Sequence, residues 1–261
     1  MGVINVTPDS FSGDGIYKRP EAAAELAERL VAAGADVLDV GGESTRPGFT
    51  PVPAEEELER VIPAVRRIVS RVEVPVSVDT SKVEVAVQAL AEGVSIINDV
   101  SGLRDPYMAP TVAASEGWMV LVHNGAAPPG EDLLNSVCGN LRRQIDTAES
   151  AGVAPSRILI DPGLGMGKGW QSNLTIIRRL AGLRSLQKPL LVGPSRKGMI
   201  ARVLGNEPDA PLYGTVALVS LCVARGADVI RVHDVREIAR AARVMDVISR
   251  TPVPAESALH P

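Results

Sequence analysis

The strongest constraint on the fold is an alternation that repeats eight times along the chain: a short, nearly continuous aliphatic run, then a longer stretch of helical period. The predicted strands are residues 3–5, 37–40, 76–79, 96–98, 119–122, 158–161, 190–193 and 229–232. The predicted helices are residues 20–33, 54–72, 82–92, 106–116, 131–151, 173–183, 212–225 and 235–250. Aliphatic strands that alternate with helices are typical of a parallel sheet covered on both faces.

Glycines mark the return from helix to strand. Gly34, Gly93, Gly152 and Gly226 each stand directly after a predicted helix, where a left-handed residue can close it. Eight such units in about 250 residues indicate a (β/α)8 TIM barrel, with functional residues at the carboxyl ends of the strands. A doubly wound open sheet is the alternative, but no Gly-x-Gly-x-x-Gly turn follows the first strand. We predict a single α/β domain over residues 1–250 and a disordered tail over residues 251–261.

Composition narrows the class of protein. Hydrophobic residues make up 45% of the 261 positions and aromatic residues only 3%, so aliphatic side chains must fill the core. The net charge of -4 argues against general nucleic-acid binding. Two cysteines are too few for a disulfide framework and fit a reducing cytosol. No signal peptide is visible, and the most apolar run, 216–224, is far shorter than the ~20 residues of a spanning helix. We therefore predict a cytoplasmic protein without nucleic-acid or membrane partners.

Polar residues end most of the predicted strands. In a barrel these strand ends meet at one mouth, so their side chains should converge. The set comprises Asn5, Asp39, Asp79, Asn98, His123, Asp161, Ser195-Arg196-Lys197 and Arg231-Val232-His233-Asp234. A single aspartate at a strand end is more often a helix cap, and Asp79 and Asp234 are good cap candidates. The cap interpretation weakens when so many acids, amides and bases share one rim.

The residue types divide into two kinds of site. Aspartate and asparagine side chains offer paired acceptors and donors to a flat, nitrogen-rich heterocycle, and a carboxylate can accept two parallel N–H bonds from its edge. Arg46, Arg231 and His233 are donors suited to phosphate oxygens, and Lys197 could serve either half. Asn5 can offer an oxygen to a hard cation such as Mg²⁺. The rim therefore indicates a heterocycle site beside an anion site.

Seven blocks in order resemble the dihydropteroate synthases, over nearly the whole chain. They are Asn-Val-Thr-Pro-Asp-Ser-Phe-Ser (5–12), Gly-Gly-Glu-Ser-Thr-Arg-Pro-Gly (41–48), Ser-Val-Asp-Thr (77–80), Ile-Asn-Asp (97–99), Asp-Pro-Gly-x-Gly (161–165), Ser-Arg-Lys (195–197) and Arg-Val-His-Asp (231–234). The resemblance implies a folate-pathway transferase that sulfonamides block. Such an enzyme condenses 6-hydroxymethyl-7,8-dihydropterin diphosphate with 4-aminobenzoate and gives 7,8-dihydropteroate and diphosphate.

The resemblance also implies roles for individual residues. The implied pterin contacts are Asp79, Asn98, Asp161 and Lys197, and the implied diphosphate contacts are Arg46, Arg231 and His233. Asn5 would hold Mg²⁺, and 4-aminobenzoate would be bordered by Thr45, Ser195, Lys197 and Met166. The implied catalytic residues are Arg46, Lys197 and Asp14. The apolar helix around 216–224 and the family's habit of dimerising together predict a homodimer.

Two departures from the family pattern leave rival functions open. The first loop has Ser-Gly-Asp-Gly at 12–15 where Ser-Asp-Gly-Gly is usual, so Asp14 stands one position later than the family's acid. Met166 stands where an aromatic residue is common. These favour a non-catalytic pterin-binding paralogue as one alternative. A methyltransferase acting on methyltetrahydrofolate-type substrates is the other, although the phosphate-binding blocks at 44–48 and 231–234 argue against it.

Overall fold

Eight parallel strands in the described part of the chain form a closed barrel surrounded by helices. The structure is a computed structural model and describes residues 1–8, 16, 18–43, 50–205 and 207–251. The strands are β1 (Gly2–Asn5), β2 (Leu38–Gly41), β3 (Val76–Asp79), β4 (Ile96–Asp99), β5 (Trp118–Val122), β6 (Ile158–Asp161), β7 (Leu191–Val192) and β8 (Val229–Ile230). The (β/α)8 prediction is confirmed.

Backbone bonds close the barrel at both seams between its two sheets. Strands β1 to β6 pair in sequence order, and β7 pairs with β8. Ile160 bridges to Leu190 just before β7, and Gly2 bridges to Val232 just after β8. The amide of Val3 donates to the carbonyl oxygen of Val232 at 3.0 Å. This closure excludes the doubly wound open sheet.

In the described residues one α-helix follows each strand, except that two follow β7. They are α1 (Pro20–Ala32), α2 (Ala54–Val69), α3 (Val83–Ala91), α4 (Met108–Ala114), α5 (Leu133–Ser150), α6 (Trp170–Arg178), α7 (Gly198–Leu204), α8 (Ala210–Ala224) and α9 (Val235–Arg250). Four of them end two residues before the predicted glycines, Gly34, Gly93, Gly152 and Gly226, which all have positive φ. Within the described residues, none of the helices combines the length and apolar composition that crossing a membrane requires.

The bounds of one predicted helix were wrong, and one helix was not predicted. The helix predicted over 173–183 is α6, which ends at Arg178, followed by a 3-10 segment, Leu180–Leu186. Arg179 leaves the helical region at φ -106, and Gly182 packs so closely on Leu134 that a Cβ would collide with it. Helix α7 was not predicted, because seven residues before Gly205 are too few to show a helical period.

The strands present different residues to the helices and to the barrel interior. Side chains alternate along a strand, so residues two apart share a face. Ile96, Val120, Leu159 and Leu191 form an apolar cluster inside the barrel, separate from the larger core between strands and helices. Asn98 lies two residues beyond Ile96, and Asp161 two residues beyond Leu159. The interior is therefore apolar in its middle and polar at its carboxyl-terminal mouth. The predicted tail, from residue 252 on, lies outside the described residues.

Candidate active site

Strand register brings the predicted polar strand ends side by side. Asn5 is opposite Gly41, Gly41 is opposite Asp79, and Asp79 is opposite Asn98. Across the sheet, Asp161 is opposite Val122 at the end of β5. Because all these strands are parallel, the side chains lie at the same end of the barrel.

A buried ion cluster joins β8 to β2 and β3 across this mouth. The guanidinium of Arg231 donates from Nε to Asp39 at 2.6 Å and from one terminal nitrogen to Asp79 at 2.9 Å. The side-chain amide nitrogen of Asn98 lies 3.4 Å from a carboxylate oxygen of Asp39. Asp39 is fully buried. Two adjacent carboxylates thus share one arginine. The Asp79 carboxylate is a partner of Arg231 rather than the helix cap that the sequence also allowed.

The charges in this cluster are set by opposing effects. Burial raises the pKa of Asp79, and Arg231 opposes that rise. Burial works against the charge of Arg231, but Asp39 and Asp79 outweigh it, so the pKa of the guanidinium is raised. One oxygen of Asp39 and the amide oxygen of Asn98 find no hydrogen-bond partner among the described residues. Such buried acceptors suit a ligand that carries several N–H donors.

Asp161 and Lys197 form the opposite side of the mouth. The amide of Gly163 donates to the Asp161 carboxylate at 2.7 Å. Burial raises the pKa of Asp161, and the Gly163 bond and Lys197 act against that rise. Burial, followed by Arg231, lowers the pKa of Lys197, whereas Asp161 and Asp79 favour its charge. Lys197 therefore lies among both carboxylates and the arginine.

Side-chain contacts hold the loops after β7 and β8 to each other. The hydroxyl of Ser195 lies 2.9 Å from Nδ1 of His233. Arg196 makes a two-pronged ion pair with Asp234 at 3.1 and 2.6 Å. Burial, then Arg231 and Arg196, lowers the pKa of His233 to about 4. The imidazole is therefore neutral at pH 7. Asp234 precedes α9 but makes no side-chain cap bond, so the cap interpretation is wrong for it.

Other predicted site residues are placed as follows. His123 is buried, and burial, then Lys168, lowers its pKa to about 4. Met166 packs against the apolar cluster inside the barrel. Asp14, Thr45 and Arg46 lie outside the described residues. The roles inferred for the described residues stay predictions.

A network that sequence reasoning missed holds both ends of the segment after β2. The Glu43 carboxylate accepts from the amide of Val52 at 2.9 Å and from Lys82 at 2.7 Å. Lys82 also bonds Glu57 of α2, which is fully buried. The sequence did contain a signal for the buried acid. Glu57 lies one turn before Val61 and three turns before Ile68, so it falls on the apolar face of the predicted helix.

The donor set for a cation is small. In the ranges that the structure describes, no group of three or more histidine, cysteine, aspartate or glutamate side chains could hold a metal ion. Asn5 ends β1 half-buried at the mouth, with its amide oxygen toward Gly41. Mg²⁺ commonly takes one or two protein oxygens together with water and substrate phosphates. A single amide oxygen beside the predicted anion site fits that pattern.

Known proteins resemble this chain over nearly its whole length. The family model for pterin binding enzymes matches residues 1–233. The dihydropteroate synthase of Bacillus subtilis is 43% identical over 249 residues, covering 95% of this chain and 87% of its own.

Solved structures agree in fold. A dihydropteroate synthase from Clostridium difficile, solved in the presence of pteroic acid, has a TM-score of 0.91 at 42% identity and covers 96% of both chains. The Xanthomonas albilineans enzyme with 4-aminobenzoic acid has a TM-score of 0.90 at 45% identity and covers 97% of this chain and 93% of its own. These similarities show that the chain, with its buried polar barrel mouth, belongs to the pterin-binding enzyme family, together with the dihydropteroate synthases.

Proposed function

We infer that this protein is a dihydropteroate synthase, a transferase of folate biosynthesis. It joins 6-hydroxymethyl-7,8-dihydropterin diphosphate to 4-aminobenzoate and releases diphosphate. The observation that carries the inference is the buried polar mouth, where the carboxylates Asp79 and Asp161 stand beside the cations Arg231 and Lys197. Its relatives, named as dihydropteroate synthases, match almost the full chain.

The pterin ring binds among Asp79, Asn98, Asp161 and Lys197. The unpartnered amide oxygen of Asn98 and the carboxylate of Asp161 accept from the amino and ring N–H groups, and Lys197 donates to ring acceptors. Buried donors of the ligand would otherwise stay unpaired, so these contacts discriminate strongly against other heterocycles. The apolar cluster below the mouth, with Met166 against it, forms the floor beneath the ring.

The diphosphate binds at Arg231, His233 and Arg46. Arg231 is held by Asp39 and Asp79, so its guanidinium is already oriented and desolvated before the anion arrives. His233 is neutral at pH 7, so it serves as a hydrogen-bond donor rather than as a cation. In this proposal Asn5 holds Mg²⁺, which when bound neutralises charge on the leaving diphosphate.

The chemistry follows from charge separation. The bond between the pterin methylene carbon and the diphosphate oxygen breaks as the arylamine nitrogen forms a new bond to that carbon. Preorganised cations stabilise the negative charge on the departing diphosphate, and the carboxylates stabilise positive charge on the ring. The arylamine attacks as a neutral nucleophile and loses its proton afterwards, so no strong base is needed. Lys197, Arg46 and Asp14 are the proposed catalytic residues, and Ser195, Thr45 and Met166 border 4-aminobenzoate. Sulfonamides would bind at this same border.

Diphosphate release tests the function. We expect release when both substrates are present, together with an equal amount of dihydropteroate. Each substrate is omitted in turn as a control. Pterin binding without release would favour the non-catalytic paralogue, and methyl transfer from a methylated tetrahydropterin would favour the methyltransferase.

The protein is further proposed to be a homodimer. Helix α8 is apolar on its outward side as well as its inward side: Tyr213 is 66% exposed, and Leu221, two turns further along, is 37% exposed. A second copy that packs the same face against this one would remove both from water, as two-fold symmetric interfaces do. Sedimentation at micromolar concentration tests this, with a Tyr213→Glu variant expected to shift the protein to monomer. A wild type that sediments as a monomer would contradict it.

A further inference from the structure

Lys168 has contacts that the proposed reaction does not use. It follows the glycine-rich loop after β6, is half-buried, and lies near enough to Asp161 and Lys197 of the proposed pterin site for both to act on its charge. Its ammonium donates to the backbone carbonyl oxygens of His123 and Gly163, each at 2.9 Å, and to that of Met166 at 3.0 Å. A lysine ammonium has three N–H donors, so three carbonyl oxygens occupy all of them.

The three carbonyls belong to two different loops. His123 follows β5, whereas Gly163 and Met166 belong to the loop after β6. The loops approach so closely that a Cβ at Gly163 would collide with the carbonyl oxygen of His123, and one at Gly167 would lie 2.9 Å from Cα of Gly125. Converging carbonyl dipoles repel one another unless a cation lies between them. The ammonium of Lys168 supplies that charge.

The crosslinked loop carries groups that face the pterin site. Gly163, whose carbonyl oxygen bonds Lys168, gives its amide to the Asp161 carboxylate. The next glycine, Gly165, lies against Lys197, since a Cβ built there would be 3.3 Å from the Cδ of that lysine. Met166 packs over the apolar floor. Displacing this loop would therefore disturb three sides of the ring site at once.

We propose that Lys168 is a positioning residue: its ammonium crosslinks the loops after β5 and β6 and thereby fixes Asp161 in its pterin-binding position and Met166 over the apolar floor of the site. Lys168 does not touch the ring in this arrangement. Lys168 acts through the backbone of the loop. The proposal rests on the proposed function only through the assignment of the pterin site.

The titration of Lys168 gives a second readout, the dependence of pterin affinity on pH. Burial lowers the pKa of its ammonium to about 8, with Asp161 opposing the shift and Lys197 adding to it. His123 also faces it, but its low pKa keeps that imidazole neutral above pH 7. Above pH 8 the Lys168 amine keeps two of its three N–H donors, so one carbonyl loses its partner.

The test compares Lys168→Met with Lys188→Met. Lys188 is a matched control, because it is nearly buried and bonds Glu149 at 2.7 Å and the carbonyl oxygen of Pro155 at 2.8 Å, at the opposite end of the barrel. Calorimetry with 6-hydroxymethylpterin at pH 7 measures affinity. We expect Lys168→Met to weaken binding about tenfold or more and Lys188→Met to change it less than about twofold.

The same titration is repeated from pH 7 to 9. The ratio of the pterin affinities of wild type and Lys168→Met should shrink as pH rises through about 8. Titration of the ligand or of Lys197 is common to both proteins and should not change this ratio. Equal affinities of wild type and Lys168→Met, equal losses in both variants, or a constant wild-type advantage over this pH range would overturn the proposal.

If Lys168→Met does not fold, Lys168→Arg replaces it. Its planar fork of donors cannot converge on the same three oxygens, so the selective loss of affinity should remain, and wild-type affinity would overturn the proposal. Calorimetry needs no turnover. A wild type that binds the pterin but releases no diphosphate would refute the proposed function and leave this test intact.

Discussion

Arg231 and Asp39 are 192 residues apart in sequence, and their side chains meet at 2.6 Å inside the barrel mouth. Asp39 is fully buried, and the arginine side chain is only 19% exposed. A second carboxylate, Asp79, lies on the other side of the guanidinium. This pair forms only when β8 returns beside β1, so barrel closure and the proposed diphosphate site depend on each other.

The first prediction concerns that pair. Asp39→Asn keeps the shape of the side chain but removes the charge that faces Nε of Arg231. Breaking one side of a buried ion pair typically costs about 3–5 kcal/mol of unfolding free energy. Urea denaturation should show a loss of that order. Arg66→Gln, which breaks an exposed pair with Glu92, is the control and should have a far smaller effect. A similar loss in both variants would mean that the buried cluster has no special role in stability.

The second prediction separates binding from stability at two strand ends. Asp161→Ala should remove most of the affinity for 6-hydroxymethylpterin, because ring N–H groups would then be buried without an acceptor, at a cost of about 1–3 kcal/mol or more. Asp99→Ala is the matched control: that carboxylate accepts from the amides of Ser101 and Leu103 and shapes its own loop. We expect it to lower the melting temperature and leave the affinity largely unchanged. Unchanged affinity in Asp161→Ala would remove Asp161 from the pterin site.

The third prediction concerns the network beside β2. Lys82→Met leaves the buried Glu57 without its cation, which should destabilise the protein by about 3–5 kcal/mol. Adding Glu57→Gln removes the unpaired charge, so the double variant should regain part of that loss. Thermal and urea unfolding of the two single variants and the double variant measure the coupling. Strictly additive losses would show that the two side chains do not interact.

The fourth prediction is a dependence of stability on pH. The folded-state pKa of His233 is about 4, below its usual value of 6.5. Between pH 6.5 and pH 4 the unfolded chain therefore binds a proton that the folded protein does not, and the free energy of unfolding falls as pH falls. In His233→Gln that fall should be smaller by about 3 kcal/mol over the window. The other titrating groups, including His123, are common to both proteins. Parallel stability curves for the two would contradict a buried, neutral His233.

Local sequence patterns were sufficient to predict the barrel. Each predicted strand boundary lies within two residues of the observed one, because a buried parallel strand is a contiguous aliphatic run and needs no distant information. The four closing glycines were identifiable for the same reason. Helix α7 and the 3-10 segment after α6 were not, since short or tightly packed segments depend on their neighbours rather than on their own period.

The site was predictable in its residue types but not in its pairings. Strand-end position predicted that Asp79 and Arg231 would share the mouth, and they do. That Asp39 is the other partner of the arginine, or that Glu57 is buried against Lys82, depends on contacts between elements far apart in sequence. Lys168 gave no sequence signal, because its partners are backbone carbonyls, which every residue has.

The most direct test of the proposed function is the steady-state rate of diphosphate release by the wild type and by a variant in which Gly13 and Asp14 are exchanged. The exchange restores the family's usual order in the first loop. We expect the wild type to form dihydropteroate and diphosphate in equal amounts, with release dependent on 4-aminobenzoate, and the exchange to alter the rate without creating it. No turnover by the wild type, with turnover by the exchanged variant, would show that this protein binds pterins but is not a synthase.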